Sequence, residues 1–287
     1  MVNNKKIGMV ILNYNDYKTT IELIELIKNY DVIDHIVIVD NLSTNDSFKK
    51  LQKYTNKKIE LIKSNKNGGY SYGNNYGAFY LINQYNIDIL FIANPDVEFS
   101  EIFIQKISEI LSTNNTIKAA TGRNINLGET DCKIYGNTTS YFRNLIQCTL
   151  LIQRIFKRKI IVLKENTGLI KVDELPGSLF AIKAETFKEI NGLDEGVFLY
   201  WEEAILGTKL RAKNYQSVID TSVSYLHKES VTINKSVNYP KKIRIFYDSM
   251  YYYFENYSNI SFLKKFILKL FILYGYYTRL IISKIIY

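Results

Sequence analysis

The stretch ILFIANPDVEF, residues 89–99, is an apolar run that stops at Asn94-Pro95-Asp96. Asp96 offers a hard carboxylate oxygen of the kind that holds Mg2+ or Mn2+ against a diphosphate. Asn, Pro and Asp are also the ordinary residues of a turn, and both readings stand on sequence alone. VDNLSTND, residues 39–46, sets Asp40 just past another apolar run, with Asn41 and Ser43 beside it. A carboxylate there can accept a hydrogen bond from a ring N–H of uracil or thymine; the alternative is a loop closed by its own Asx-type bonds. YWEEAILGTKLR, residues 200–211, puts Glu202 and Glu203 at a helix start. Acids commonly stabilise a helix N-terminus, but a carboxylate beside Tyr200 and Trp201 could also take the proton of an attacking hydroxyl. His227 follows a strand-like run, and its imidazole suits Mn2+ if Asp96 is a ligand. Otherwise it is structural, as His35 is expected to be.

NKNGGYSYGNNYG, residues 65–77, is rich in Gly and Asn. It lacks the Gly-Lys-Ser/Thr ending of a P-loop, and Gly68 and Gly73 are not spaced as a dinucleotide fingerprint. Glycines let backbone approach a ligand closely, and a helix N-terminus favours phosphate. The other reading is a flexible surface loop.

The elements that must carry these residues follow from periodicity. IGMVIL (7–12), HIVIV (35–39), IELIKS (59–64) and ILFIA (89–93) are short apolar runs that read as buried strands. Between them, helical spacing is expected over 18–30, 48–54 and AFYLINQY (78–85), with residues 65–77 as loop. Strands alternating with helices imply βαβ units and a parallel sheet, in which ligands bind beyond the carboxyl ends of the strands. Those ends carry Asn13, Asp40 and Asn94/Asp96, and the glycine-rich segment follows the remaining strand. Helix is expected over 101–111 and strand over 117–122. Residues 124–172 show no clear pattern and hold a basic cluster of Arg154, Lys157, Arg158 and Lys159. A strand, a helix, a Gly turn and the acidic helix start then lead to a strand in SVIDTSVSYLH (217–227). Beyond Pro240 the composition turns to Tyr, Phe, Ile, Lys and Arg, so a boundary is placed near 235. This gives a domain over 1–235 and a helical region over 236–287.

The chain has 287 residues, 47% of them hydrophobic and 23% charged, which supports a sizeable core. The formal charge of +9 favours an anionic partner. Cys132 and Cys148 are the only cysteines, too few for a disulfide framework, which fits a reducing compartment. The apolar stretch near the N-terminus is too short for a signal peptide core, so a cytoplasmic location is expected. In the tail, Leu263, Ile267, Leu270, Tyr274, Ile281 and Ile285 recur at helical spacing, with Lys264, Lys265, Lys269 and Arg279 off that stripe. No stretch approaches the ~20 apolar residues of a membrane span. The expectation is a basic amphipathic helix lying on an anionic membrane surface. The alternative is a helix packed on the domain or on a twin subunit in a homodimer.

Taken together, ILNYN, VDNLSTND, NGGYSYGNNYG, NPDV, PGSLFAIKAETFKEINGLDEGVFLYWEE and LRAKNY, over about residues 7 to 232, resemble the family 2 glycosyltransferases in both type and order. The closest look is to the rhamnosyltransferase-like bacterial branch that builds polysaccharides and O-antigens. The resemblance implies an α/β, GT-A fold: a Rossmann-like, mostly parallel central sheet flanked by helices, here with a C-terminal helical extension. It assigns Asn13, Tyr14, Asn15, Asp40, Asn41, Ser43, Asn67, Gly68, Gly69, Asn74 and Asn94 to the donor nucleotide. It implies Asp96 and His227 as ligands of Mn2+ or Mg2+, Glu203 as catalytic base, and Gly177, Trp201 and Glu202 on the acceptor side. Two positions depart from the family: the base is Glu rather than Asp, and Ile205 stands where a second acid is often found.

The implied activity is a single inverting displacement from a nucleoside-diphosphate sugar to a saccharide or lipid-linked saccharide. dTDP-rhamnose is the first donor expected and a UDP-hexose the next. Such an enzyme would sit peripherally on the inner face of the cell membrane, with the basic segment 154–159 near acceptor phosphates. A competing class is a nucleotide-sugar-binding subunit without catalysis, suggested by Asn94 and Ile205. An RNA-binding protein is disfavoured because no recognisable module is present, so no nucleic acid partner is expected.

Overall fold

The computed structural model describes residues 1–127, 132–135, 140–149, 160–163, 167–228 and 238–286. The four apolar runs form β1 (Ile7–Asn13), β2 (His35–Asp40), β3 (Ile59–Lys63) and β4 (Ile89–Ala93). They lie side by side in the order β3-β2-β1-β4, all parallel. Alternate residues face opposite sides: Met9 and Ile11 join one core and Val10 another. Burial on both faces is why these strands read as unbroken apolar runs instead of alternating ones.

The crossover helices are α1 (Tyr17–Ile27), α2 (Ser47–Leu51, extended by a 3-10 turn Gln52–Tyr54) and α3 (Gly69–Tyr85). The third corrects the reading of 65–77 as loop, since the helix already begins at Gly69. Its glycines bring the helix close to the sheet: a Cβ at Gly77 would lie 2.6 Å from Val39 Cγ2, and one at Gly73 2.3 Å from Leu12 Cδ1. A run of Gly and Asn looked like loop because propensity counts against Gly in helices. Here tertiary packing requires the missing side chains.

Past β4 the sheet becomes mixed. The remaining elements are β5 (Val97–Glu98), α4 (Glu101–Thr113), β6 (Ile117–Asn126), β7 (Cys132–Tyr135), α5 (Tyr141–Cys148), β8 (Ile160–Leu163), β9 (Leu169–Val172), β10 (Leu179–Lys183), α6 (Ala184–Glu189), α7 (Glu202–Ala212) and β11 (Gln216–His227). The sheet continues β4-β10-β6-β11-β5, with β9 also on β11. β10 is antiparallel to both neighbours, and β6 and β11 are parallel. β7 and β8 form a separate antiparallel pair. The described parts of 124–172, which showed no pattern in the sequence, are strand ends, the β7–β8 pair and a short helix. The basic cluster 154–159 and the boundary near 235 lie outside the described residues.

α1 and α4 cover one face of the sheet, and α3, α6 and α7 the other. A third core joins α5 and α7 to α8 (Tyr239–Asn256) and α9 (Phe262–Ile286). Ile205 is 1% exposed in this core, beside Met250 and Phe254 of α8. An acid there would be buried without solvent, which accounts for the departure from the family at this position.

α9 corrects the tail reading in two respects. By length and composition alone, Phe262–Lys284 is long and apolar enough to cross a membrane. The sequence reading, that no stretch is long and apolar enough, is overturned here: Lys264, Lys265, Lys269 and Arg279 are scattered through the segment and do not lower its mean hydropathy below that of a span. Arg279, counted there as an outward charge, turns inward: its guanidinium donates to the Tyr247 hydroxyl and to the carbonyls of Cys148 and Gln147. The inner face, with Leu268 fully buried, packs in the third core. The outer face exposes Leu263, Phe266, Leu270, Leu273, Tyr277 and Ile281, each at least half exposed.

Candidate active site

The rim at the carboxyl ends of β1, β2 and β4 is tied together by hydrogen bonds. Asn13, fully buried at the end of β1, donates from Nδ2 to Asp40 Oδ1 (2.9 Å) and to Ser43 Oγ (3.2 Å). Asp40 is itself fully buried, and its Oδ2 accepts from the Ser43 backbone N–H at 3.0 Å. Its carboxylate therefore holds the loop 41–46 in shape, and Asn15 and Ser43, which are partly exposed, form the outer surface there. Asn15 takes a left-handed conformation, φ 57°, and its N–H donates to Ser43 Oγ. Tyr14 sits half-buried beside it.

Asn41 reaches the start of α3, donating to Asn67 Oδ1 and to the Gly69 carbonyl, both at 3.1 Å. Gly69 has φ 89°, and a Cβ there would lie 2.0 Å from the Phe198 carbonyl oxygen. That contact excludes any other residue, with Gly68 as the preceding helix cap. Asn74 lies within α3, fully buried, and its Oδ1 accepts no hydrogen bond among the described residues.

The base candidate lies next to the start of α3, whose Tyr70 N–H donates to the Phe198 carbonyl at 2.9 Å. Tyr200 and Trp201 are both left-handed, φ 70° and 71°. Non-glycine residues pay for that conformation, and such strain is characteristic of functional turns. It delivers Glu202 and Glu203 onto the first turn of α7. The Glu203 carboxylate lies beside the backbone N–H groups of Gly177 and of its own residue, and Tyr70 donates its hydroxyl to the Gly177 carbonyl at 2.5 Å. Burial pushes the Glu203 carboxyl above its ordinary value, partly offset by those N–H donors. Burial, and then the neighbouring Glu203, push Glu202 up to about 8. Glu202 is 8% exposed, and its Oε1 accepts no hydrogen bond among the described residues. The Trp201 ring packs against Tyr253, Phe254 and Phe246 of α8, with centroids 5.2–6.2 Å apart.

The metal candidates do meet. His227 Nε2, at the end of β11, lies 3.4 Å from Asp96 Oδ1. That oxygen is buried and accepts no hydrogen bond among the described residues. A buried carboxylate oxygen left without a donor is costly unless a cation or ligand completes it, so the pair fits a divalent ion. No third His, Cys, Asp or Glu joins it among the described residues. Mg2+ and Mn2+ sites commonly combine one or two protein ligands with substrate phosphates and water, so two suffice. The two parts of the rim are linked through adjacent residues: Asn94 donates its N–H to the Ser178 carbonyl at 2.8 Å, and Gly177 packs against the Glu203 carboxylate.

Two contributors were not anticipated from sequence. Tyr70, half-buried, clamps the 177 loop through its hydroxyl. Tyr225 pairs its hydroxyl with Ser178 Oγ at 2.8 Å. Neither type is diagnostic in a chain with 24 tyrosines.

Comparisons with known proteins bear on the family and the fold. The family model "Glycosyl transferase family 2" matches residues 9–171. The low-salt glycan biosynthesis hexosyltransferase Agl10 of Haloferax volcanii is 26% identical over 229 residues, covering 78% of this chain and 68% of that protein. Among solved structures, the mannosyltransferase PcManGT from Pyrobaculum calidifontis, in complex with GDP-Man and Mn2+, superposes with a TM-score of 0.60 at 13% identity. That match covers 92% of this chain and 68% of the other. GalNAc-T7 with UDP, GalNAc and Mn2+ superposes with a TM-score of 0.61 at 17% identity, covering 92% of this chain but only 54% of that one. The fold is therefore that of the GT-A glycosyltransferases, and the family match over more than half of its length makes this chain a member of glycosyl transferase family 2.

Proposed function

We propose that the protein transfers a sugar, with inversion, from a nucleoside-diphosphate sugar to a saccharide or lipid-linked saccharide, with Glu203 as general base. The observation that carries this reading is the single connection between two chemistries. Gly177 packs against the Glu203 carboxylate, and the next residue, Ser178, anchors the strand end that bears Asp96. Glu203 accepts the proton of the acceptor hydroxyl, whose oxygen attacks the anomeric carbon from the face opposite the diphosphate. Asp96 and His227 would hold Mn2+ or Mg2+, which when bound offsets charge on the leaving diphosphate. The loop 41–46 and the start of α3 enclose the nucleotide side, with Asn15, Ser43 and Asn67 presenting polar groups toward it. GDP-Man and UDP in the complexes of structural relatives support a nucleotide donor of this kind; dTDP-rhamnose and UDP-hexoses are the first donors to try.

The acceptor reading is supported by α9, whose inner face packs on α8 and α5 while its outer face is apolar and exposed. A helix fastened in that way lies along a membrane surface, which would bring lipid-linked acceptors to the rim on the inner face of the cell membrane. The test is a transfer assay with Mn2+. Glu203→Ala should lose transfer by ~10²–10⁴-fold while still binding donor. Ordinary turnover in that variant would remove Glu203 from the role.

A further inference from the structure

α3 carries 17 residues, GYSYGNNYGAFYLINQY, without a single Asp, Glu, Lys or Arg. A surface helix normally turns a charged face to water. This one turns Tyr72, Tyr76 and Tyr80, at intervals of four residues, to a half-exposed outer face. They line a groove of about 570 Å³ with Phe79, Asn83, Gln84 and, from the facing loop, Glu195. That volume falls in the range of small-ligand sites, and its lining of aromatic surface with a few polar groups is also typical of them. The groove is structurally supported: Asn75 donates from Nδ2 to the Leu193 carbonyl (2.8 Å) and to Glu195 Oε1 (2.9 Å), fixing the loop against the helix. Tyr80 is held by donating to Glu60 Oε2 at 2.7 Å. The Tyr72 and Tyr76 rings stand 6.2 Å apart and tilted by 38°, which gives a stepped platform in place of a closed stack.

We propose that this groove binds a neutral saccharide chain. A sugar ring has apolar C–H faces and a rim of hydroxyls that both donate and accept. Tyrosine rings meet the faces at low entropic cost. Amides such as Asn83 and Gln84 donate and accept together, as paired hydroxyls require. Polyanions are disfavoured, because the groove's lining holds no cation and Glu195 would repel them; one cation, Lys66, lies at the groove's end, 4.8 Å from the centre of the Tyr72 ring. From Tyr72 to Tyr80 the helix rises about 12 Å, enough for a short oligosaccharide. The groove opens one turn from Gly69, where α3 meets the loop ending at Phe198. Resting on the transferase reading, its occupant is the chain of the acceptor or product, held beyond the reacting ring.

The test is binding by the full-length protein without donor or metal, so it is separate from turnover. Maltohexaose, mannohexaose and galactohexaose are titrated by saturation-transfer NMR and calorimetry. At least one should bind with a Kd of about 1 mM or tighter, and Tyr76→Ala should weaken it about tenfold. Tyr76→Phe, which keeps the ring, should stay within about twofold of the native protein. Donor hydrolysis should be unchanged in both variants. Failure of all three hexaoses to bind, or native affinity in Tyr76→Ala, overturns the proposal. So does a shift of Tyr76→Ala from dimer to monomer with saccharide binding intact, because the face would then be a protein interface. Saccharide binding without any donor turnover would leave the groove standing and remove the transferase reading.

Discussion

Gly177 lacks a side chain because Glu203 occupies the space one would need: a Cβ there would lie 2.7 Å from Oε1. Gly177→Ala must therefore displace the carboxylate, and displacement of about an ångström can cost ~100-fold in turnover. The expected result is that loss in kcat with donor KM little changed, read by steady-state kinetics. Glu202 gives a pH signature. Its carboxyl is held up to about 8 by burial and by Glu203, so it is neutral in the folded state where it would already be ionised in the unfolded one. Between the ordinary carboxylate pKa and about 8, the unfolded state binds fewer protons and stability falls as pH rises. Glu202→Gln abolishes that slope. Its unfolding free energy should exceed that of the native protein by ~1–3 kcal/mol at pH 8.5 and by little at pH 4.5, measured by urea denaturation. Equal gains at both pH values would mean that Glu202 is not a buried neutral acid.

Among the elements, α8 and α9 divide what composition had grouped as one helical tail. α8 supplies Met250, Tyr253 and Phe254 to the core beneath Trp201, and Tyr252 and Tyr257 both donate to Asp194 in the loop before α7. It therefore packs as one body with α7 and the loop before it. Phe254→Ala should cost ~3–5 kcal/mol and also lower transfer, since it loosens the strained turn at 200–201. α9 is different on its outer face. Leu270→Glu combined with Ile281→Glu touches residues 50% and 59% exposed. It should leave the unfolding midpoint within about 0.5 kcal/mol and release the protein from membranes. Flotation with vesicles decides this: a doubly substituted protein that still floats has its anchor elsewhere.

At the scale of the whole molecule, a formal charge of +9 and the lysines of α9 should make vesicle binding selective for anionic lipid. Each cation near the surface contributes about 1 kcal/mol at low ionic strength, and screening shortens that reach as salt rises. Binding to vesicles containing phosphatidylglycerol should fall when salt rises from about 50 to 500 mM, with much weaker binding to neutral vesicles. Indifference to lipid charge would leave only the apolar face of α9 as the contact.

The sequence by itself determined the parallel half of the sheet, because strands buried on both faces leave unbroken apolar runs, and their polar ends mark a rim. It also determined the family, because six motifs in order are far more specific than any one of them. It misread Gly69–Gly77 as loop, since propensity carries no information about which helix must lie against which strand. Only the tertiary structure decided that Asp40 is enclosed, that Asp96 and His227 meet from strands far apart in the chain, and that Arg279 faces inward. Those outcomes depend on contacts between segments tens to hundreds of residues apart, which no local pattern encodes.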